Sequence, residues 1–362
     1  MSPSKLHRLL RQPESTISHL DLVYVTDDKM TIHRIHQEGS FEYRFRQVPL
    51  QDQNELERIK GLAIPPAWQD VKITHLTNGH LQAVGRDAKK RKQYRYHILW
   101  TKVRKQTKFY RMAHFGNVLP IIRNQVDKDL KRPSWCKEKV LALVLRLMEE
   151  THIRIGNEQY AHRNQTYGLT TLRKRHVDTI KQGLKINFTG KRGKKHSITL
   201  RNKKLIRLVN QCEEIPGWEL FHYYDDKGDK HEIDSTMVND YIKQSSGEEF
   251  TAKDFRTWAG GILFFNSLME MEPAQEDRAR KKNILLAYDA TAKALGNTRN
   301  VCRKSYVHPL LPMAYENREL QHYFAKAQQP SIDTANFSPS EHAVLELISN
   351  YEPELKTIDH EH

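Results

Sequence analysis

The stretch Gly296-Asn297-Thr298-Arg299-Asn300-Val301-Cys302-Arg303-Lys304-Ser305-Tyr306-Val307-His308-Pro309 sets a single tyrosine in a basic, polar segment. It follows a helical run from Asn283 to Leu295, and Gly296 suits the left-handed residue that ends such a helix. A phenol has a pKa near ~10, so at neutral pH it is a poor nucleophile unless cations favour the phenolate and the reaction removes its proton. Arg299, Arg303 and Lys304 offer that charge along the sequence. Taken alone, the window fits a surface tyrosine on a DNA-facing loop better than a nucleophile, so its meaning depends on what the rest of the chain supplies.

The chain has 362 residues, enough for two cores, and its 59 Lys and Arg against 44 Asp and Glu leave a formal charge of +15. Such an excess suits a polyanion, and nucleic acid is the expected partner. Cys136, Cys212 and Cys302 are odd in number, far apart and in no metal-ligand spacing, so they read as reduced thiols of a cytoplasmic protein. No apolar run approaches the ~20 residues that cross a bilayer, and no secretory leader is evident, so no membrane partner is expected. Of 19 histidines, only His33 with His36 and His360 with His362 come close in sequence, and no metal site is expected.

Working outward, the first dozen residues, with Lys5, Arg8 and Arg11, read as a basic arm. From His19 to Val48 the apolar and aromatic residues alternate, as do Val71 to Ile73 and His80 to Ala83, which predicts strands, with Thr77-Asn78-Gly79 as a turn. A helix is expected over Gln53 to Gly61, ahead of the extended Ile64-Pro65-Pro66-Ala67-Trp68. Gly85 to Arg111 then holds eleven Lys or Arg and one acid. Like charges at that density are relieved by phosphates, with counterion release adding to the affinity. Within it Arg86, Lys89, Lys90, Arg91 and Lys92 are candidate DNA contacts, and Tyr94 and Tyr96 have the alternate spacing of a strand presenting both to a groove. The competing reading is a solvated basic linker.

Helices take over afterwards. They are expected over Phe115 to Lys131, over Lys137 to Glu150, which is apolar almost all round and so buried, and from a capping box at Thr251 and Asp254 through Met269. Between them Gly183 to Leu200 reads as a hairpin with a basic tip, Gly190-Lys191-Arg192-Gly193-Lys194. Residues 330–362 read as a short helix and a polar tail.

If Tyr306 attacks a phosphodiester, negative charge gathers on the non-bridging oxygens and the departing sugar oxygen needs a proton. Arginine suits the first task, being planar, bidentate and always charged, and lysine with a lowered pKa suits the second. The chain offers Arg154 just past the buried helix, Lys191 at the hairpin tip, Arg256 near the start of another core helix, and Asn297 nine residues before Tyr306. Each alone is weak; their joint occurrence in this order is not.

These residues, with Leu62 to Trp68, Gly79 to Ala88, Arg91 to His97, Ile153 to Asn157, Tyr167 to Arg173, Phe188 to Lys191, Lys253 to Trp258 and Lys304 to Tyr306, make the chain resemble the type IB DNA topoisomerases of the poxvirus-like kind, bacterial branch. The resemblance covers about residues 20–325. It implies an α+β protein: a small β-rich N-terminal domain (1–103), a larger, mainly helical catalytic domain of the topoisomerase IB and tyrosine recombinase type (104–330), and a short tail (331–362), forming a C-shaped clamp on duplex DNA. It further implies Tyr306 as the nucleophile of a 3′-phosphotyrosyl link, Arg154 and Arg256 as phosphate clamp, Lys191 as general acid, and Asn297 where viral members have histidine. A neutral amide there can donate to a phosphoryl oxygen but adds no charge. Tyr94, Tyr96 and Tyr160 become groove contacts, and Gln159 stands where viral enzymes carry lysine, which argues for weak sequence preference.

Such a mechanism needs neither nucleotide nor metal. The phosphotyrosine bond conserves the energy of the broken linkage, and no Gly-x-x-x-x-Gly-Lys-Ser/Thr loop is present. Relaxation of supercoiled DNA by a monomer in the cytoplasm, associated with the nucleoid, is the expectation. A tyrosine site-specific recombinase and a non-catalytic basic DNA-binding protein are the alternatives.

Overall fold

In the computed structural model, which describes Ile17 and residues 21–37, 39–329 and 336–351, the alternating segment builds one antiparallel sheet. Its strands are β1 (Ile32–Gln37), β2 (Ser40–Phe45), β3 (Val48–Pro49), β4 (Gln69–Ile73), β5 (Leu81–Arg86) and β6 (Lys92–Tyr96), in the order β3-β2-β1-β4-β5-β6. Period two sends Ile32, Val71, Ile73 and Ala83 to a cluster shared with Ile59 of α1 (Gln53–Gly61), while Leu81 and Val84 meet Val25 and Met30. The Asp52 carboxylate caps α1 by accepting from the Asn54 and Glu55 amides. Among the described residues around Leu22 and Tyr24 the expected strand gives way to a single bridge, Val23 to Gly79. The basic arm and the polar tail of the sequence reading lie outside the described residues.

The chain divides into two compact units, the second beginning at Phe109. The dividing point falls inside α2 (Ile98–Asp129), which starts seventeen residues before the predicted Phe115. Its first turns are the second half of the basic window. Lysine and arginine are good helix formers, and Trp100, Val103, Phe109 and Met112 fall on buried positions at steps of three and six residues. The window is therefore half hairpin and half helix, and no free linker.

In the second unit α3 (Lys137–Thr151) is buried on most faces, as its composition demands. It ends where His152 turns left-handed (φ 54°) and its amide bonds Met148 O at 3.0 Å. Around it lie α4 (Glu158–Asn164), the antiparallel sheet β7 (Val177–Ile180), β8 (Gly183–Thr189) and β9 (Lys195–Leu200), α5 (Lys203–Glu213), the hairpin β10 (His222–Tyr224) and β11 (Lys230–Glu232), α6 (Ser235–Ser246) and α7 (Ala252–Met269). Then follow α8 (Asp277–Ala294), α9 (Arg299–Ser305), α10 (Leu310–Glu316), α11 (Leu320–Gln328) and α12 (Pro339–Ser349). The capping box predicted at Thr251 and Asp254 is present, with Asp254 Oδ2 accepting from the Thr251 amide at 2.9 Å. Helix α12 belongs to this core: Glu341 accepts from Trp258 Nε1 at 2.9 Å and from Arg123 Nη2 at 2.9 Å.

Candidate active site

Two chain reversals and a short helix bring the sequence-predicted residues into place. The first is His152, whose left-handed turn delivers Ile153-Arg154 from α3. The Arg154 backbone is pinned there: its carbonyl accepts from the Leu169 amide at 2.8 Å, and Ile155 O accepts from Thr170 N at 2.7 Å. Gly168 lies so close that a Cβ would stand 2.5 Å from Arg154 O, so Tyr167-Gly-Leu-Thr-Thr must keep its glycine to hold the arginine.

The second reversal ends α8. The Gly296 amide bonds Lys293 O at 3.2 Å and the Asn297 amide bonds Ala292 O at 2.8 Å, with Gly296 at φ +60°. This is the Schellman pattern, and it aims the Asn297 side chain at Arg154, whose Nη2 donates to Asn297 Oδ1. The third element is α9, capped by the Thr298 side chain accepting from Val301 N, so that Tyr306 is the residue closing a helix. The segment that reads as polar and irregular is thus a turn followed by seven helical residues, too short for any apolar period to register.

Arg256, on α7, is only 6% exposed. Its Nη2 donates to Leu295 O at 2.7 Å and its Nη1 to His152 O, the carbonyls of the residues that cap the C-terminal ends of α8 and α3. The ends of α3 and α8 are therefore tied to each other through one guanidinium. The Tyr306 ring centroid lies 5.4 Å from the guanidinium carbon, and the nearby phenol favours the charged guanidinium. Burial, and then the charge of Arg154, pull the Arg256 pKa down from its ordinary value. The sequence reading gave the charge around the phenol to Arg299, Arg303 and Lys304. In the fold Arg299 is taken by Asp289, with Nε to Oδ1 at 2.6 Å, Arg303 and Lys304 are exposed, and the cation over the ring is Arg256.

Two buried donors of this set, Arg256 Nε and Asn297 Nδ2, have no partner of hydrogen-bond geometry among the described residues. A buried donor left unsatisfied costs about 1–3 kcal/mol, which a bound acceptor would relieve. Beneath Arg256 lies a cavity of about 100 Å³ lined by Arg123, Glu149, His152, Trp258 and Glu341 among others. Lys191 sits exposed at the β8–β9 tip, where Gly190 N bonds Lys194 O at 2.7 Å. The neighbouring Lys194 is close enough for its charge, after that of Arg154, to bear on His196.

The DNA-contact candidates divide. Tyr94 is 44% exposed and stacks with Tyr96, ring centroids 5.9 Å apart. Arg91 and Lys92 are engaged by Asp87 (2.7 Å) and Asp27 (2.6 Å), and Arg86 lies 3.7 Å from Asp70. Lys89 and Lys90 are exposed and have no ion pair among the described residues. Gln159 and Tyr160 are exposed on α4, capped by Asn157. One convergence escaped the sequence: Glu219, His222 and Glu232 bring potential ligand atoms within 4.8 Å of one another on the β10–β11 hairpin. Glu219 and His222 are three residues apart, but Glu232 joins them only through the pairing of β11 with β10.

A β-rich unit followed by a helical one, with a tyrosine beneath one arginine and a second arginine alongside, fits the DNA topoisomerase I class of isomerase. Comparison with known proteins agrees: the family model described as eukaryotic DNA topoisomerase I, catalytic core, matches residues 89–331, and that of the bacterial DNA topoisomerase IB N-terminal domain matches residues 40–87. The DNA topoisomerase 1B of Acanthamoeba polyphaga mimivirus is 33% identical over 302 residues, covering 80% of this chain and 90% of its own. The DNA topoisomerase I of Monkeypox virus is 26% identical over 273 residues, 72% of this chain and 82% of its own, and the DNA topoisomerase 1B of Vaccinia virus (strain Copenhagen) 25% over 270, with the same coverage. The chain belongs to the type IB DNA topoisomerase family. Among the described residues no helix is long and apolar enough to cross a membrane.

Proposed function

We propose that this topoisomerase relaxes supercoiled duplex DNA with Tyr306 as nucleophile, Arg154 and Arg256 as the phosphate clamp, Asn297 as a neutral donor and Lys191 as general acid. The phenolic oxygen attacks phosphorus, the bond to the 5′ oxygen breaks, and Lys191 gives that oxygen its proton. The 3′ end is then held as a phosphotyrosine while the 5′-hydroxyl strand swivels, and the reverse step reseals it. The supporting observation is the pair of buried, unpartnered donors, Arg256 Nε and Asn297 Nδ2, beside a phenol that Arg256 already contacts. Preorganised donors of this kind are worth roughly 10²–10³ in rate each.

The exposed Lys89, Lys90, Tyr94, Gln159 and Tyr160 fit backbone and groove contacts with the duplex, and a monomer suffices for the chemistry. Three free thiols fit a reducing cytoplasm, where the nucleoid is the substrate. Plasmid relaxation in EDTA without nucleotide, wild type beside Tyr306→Phe, tests the reading. Wild type relaxes supercoils of both signs, whereas Tyr306→Phe binds DNA and forms no covalent adduct. An adduct surviving in Tyr306→Phe, or a strict need for Mg²⁺ in cleavage, overturns it.

A further inference from the structure

The hairpin that carries Lys191 and the turn that carries Asn297 are far apart in sequence, and one side chain lies against both. His196, on β9, pairs with Phe188 of β8 and stacks on its ring, with centroids 4.8 Å apart and planes 9° apart. Its Cδ2–Nε2 edge faces Gly190, where a Cβ would stand 2.7 Å away, and its Cε1 faces Gly296, where a Cβ would stand 2.5 Å away. Gly190 immediately precedes Lys191 and Gly296 immediately precedes Asn297. Both glycines are therefore needed to seat one imidazole, which meets the backbone next to each residue. Burial first, then the charges of Arg154, Lys194 and Arg256, hold the ring's pKa below its ordinary value, so it is neutral at neutral pH.

We infer that His196 is a positioning residue for the protonation step: its ring, stacked on Phe188 and wedged between Gly190 and Gly296, fixes the hairpin tip so that Lys191 reaches the leaving 5′ oxygen of the phosphate held by Arg154 and Asn297. The inference rests on the reading of Lys191 as general acid. In the step itself the Tyr306 oxygen bonds phosphorus, the P–O5′ bond breaks, the Lys191 proton goes to O5′, and the phenolic proton leaves to solvent. His196 touches none of these atoms. It works by geometry: the turn before Asn297 is held independently by the bonds of the Gly296 and Asn297 amides to Lys293 O and Ala292 O, so loss of the wedge leaves the clamp and nucleophile in place while the acid drifts.

That separates it from a general structural role. A substrate whose bridging 5′ oxygen is replaced by sulfur has a leaving group that needs no proton, so it repairs defects in acid catalysis and nothing else. Single-turnover adduct formation is measured on oxygen and sulfur substrates for wild type, His196→Ala, His196→Phe, Gly190→Ala, Lys191→Ala and the His196→Ala/Lys191→Ala double variant. On the oxygen substrate His196→Ala and Gly190→Ala are expected to slow cleavage by roughly 10- to 100-fold, the cost of a misplaced catalytic group. On the sulfur substrate both recover to within a few-fold of wild type, His196→Phe keeps most activity on either, and the double variant is no slower than Lys191→Ala. Equal slowing of His196→Ala on both substrates, or a double variant slowed by the product of the single effects, overturns the inference while Lys191→Ala is still rescued by sulfur. If Lys191→Ala is not rescued, the assignment of the acid falls first, and the role of His196 falls with it.

Discussion

Helix α7 contains two adjacent glycines with opposite environments, which permits a sharp test of how tightly Tyr306 is held. A Cβ built on Gly260 meets Tyr306 Cβ at 2.8 Å and its carbonyl oxygen at 2.9 Å, whereas one built on Gly261 meets only Leu311 Cδ1 at 3.6 Å. Alanine at either site gains about 1 kcal/mol of helix propensity. At Gly260 the new methyl is about half an ångström short of ordinary contact with backbone, which cannot rotate away, and overpacking of that kind costs about 1–3 kcal/mol. Gly260→Ala should therefore range from neutral to about 2 kcal/mol less stable, and Gly261→Ala should be up to about 1 kcal/mol more stable. The larger consequence is kinetic. Since a misplacement of about 1 Å costs on the order of 100-fold, a half-ångström shift of Tyr306 should slow single-turnover adduct formation about tenfold, with DNA affinity unchanged. Gly261→Ala should cleave at the wild-type rate. Thermal melting and adduct kinetics on a suicide substrate read both quantities, and Gly260→Ala cleaving as fast as Gly261→Ala would refute the claim that this helix sets the position of the nucleophile.

Further expectations follow from other contacts. Asn297→Asp keeps an acceptor for Arg154 but turns the unpartnered Nδ2 donor into a carboxylate oxygen, so adduct formation should fall by roughly 10² or more; a rate within a few-fold of wild type would remove Asn297 from the site. Removing both exposed charges in Lys89→Gln/Lys90→Gln should lower the slope of log affinity against log salt by roughly 2 while sparing the rate at saturating protein, and an unchanged slope would mean that this hairpin does not meet phosphate. Burial opposes ionisation of Glu341, but Arg123, the Ser338 amide and Trp258 outweigh it and hold its pKa below the ordinary value of 4.5. A carboxyl with a depressed folded pKa contributes stability above its unfolded value and loses it as pH falls through the folded one, so wild type should lose stability below about pH 4.5 more steeply than Glu341→Gln. At neutral pH the same variant, which strands the half-satisfied Arg123, should be destabilised by about 3 kcal/mol in urea titration; equal stabilities would sink the view that α12 is anchored there.

Much of this molecule could be read from its residues in order. Alternation at Ile32, Val71, Ile73 and Ala83 makes strands wherever they pair, the apolar composition of Lys137 to Glu150 buries α3 whatever packs on it, and Gly296 stops α8 because only its left-handed backbone closes the Schellman bonds. Those features depend on local periods and backbone sterics, which a sequence carries directly. The helical start at Ile98 was hidden by its charge, and α9 by its brevity. Which cation faces Tyr306 was beyond any local rule: Arg299, Arg303 and Lys304 are neighbours along the chain, but Asp289 takes the first and solvent the others, while Arg256 arrives from another helix because the carbonyls of His152 and Leu295 hold it there. The sequence by itself supplied the parts and their types. Only the tertiary structure decided which donors face one another and which are left buried and unpaired, because charge and hydrogen bonding act across space at a few ångströms and are indifferent to the number of residues between.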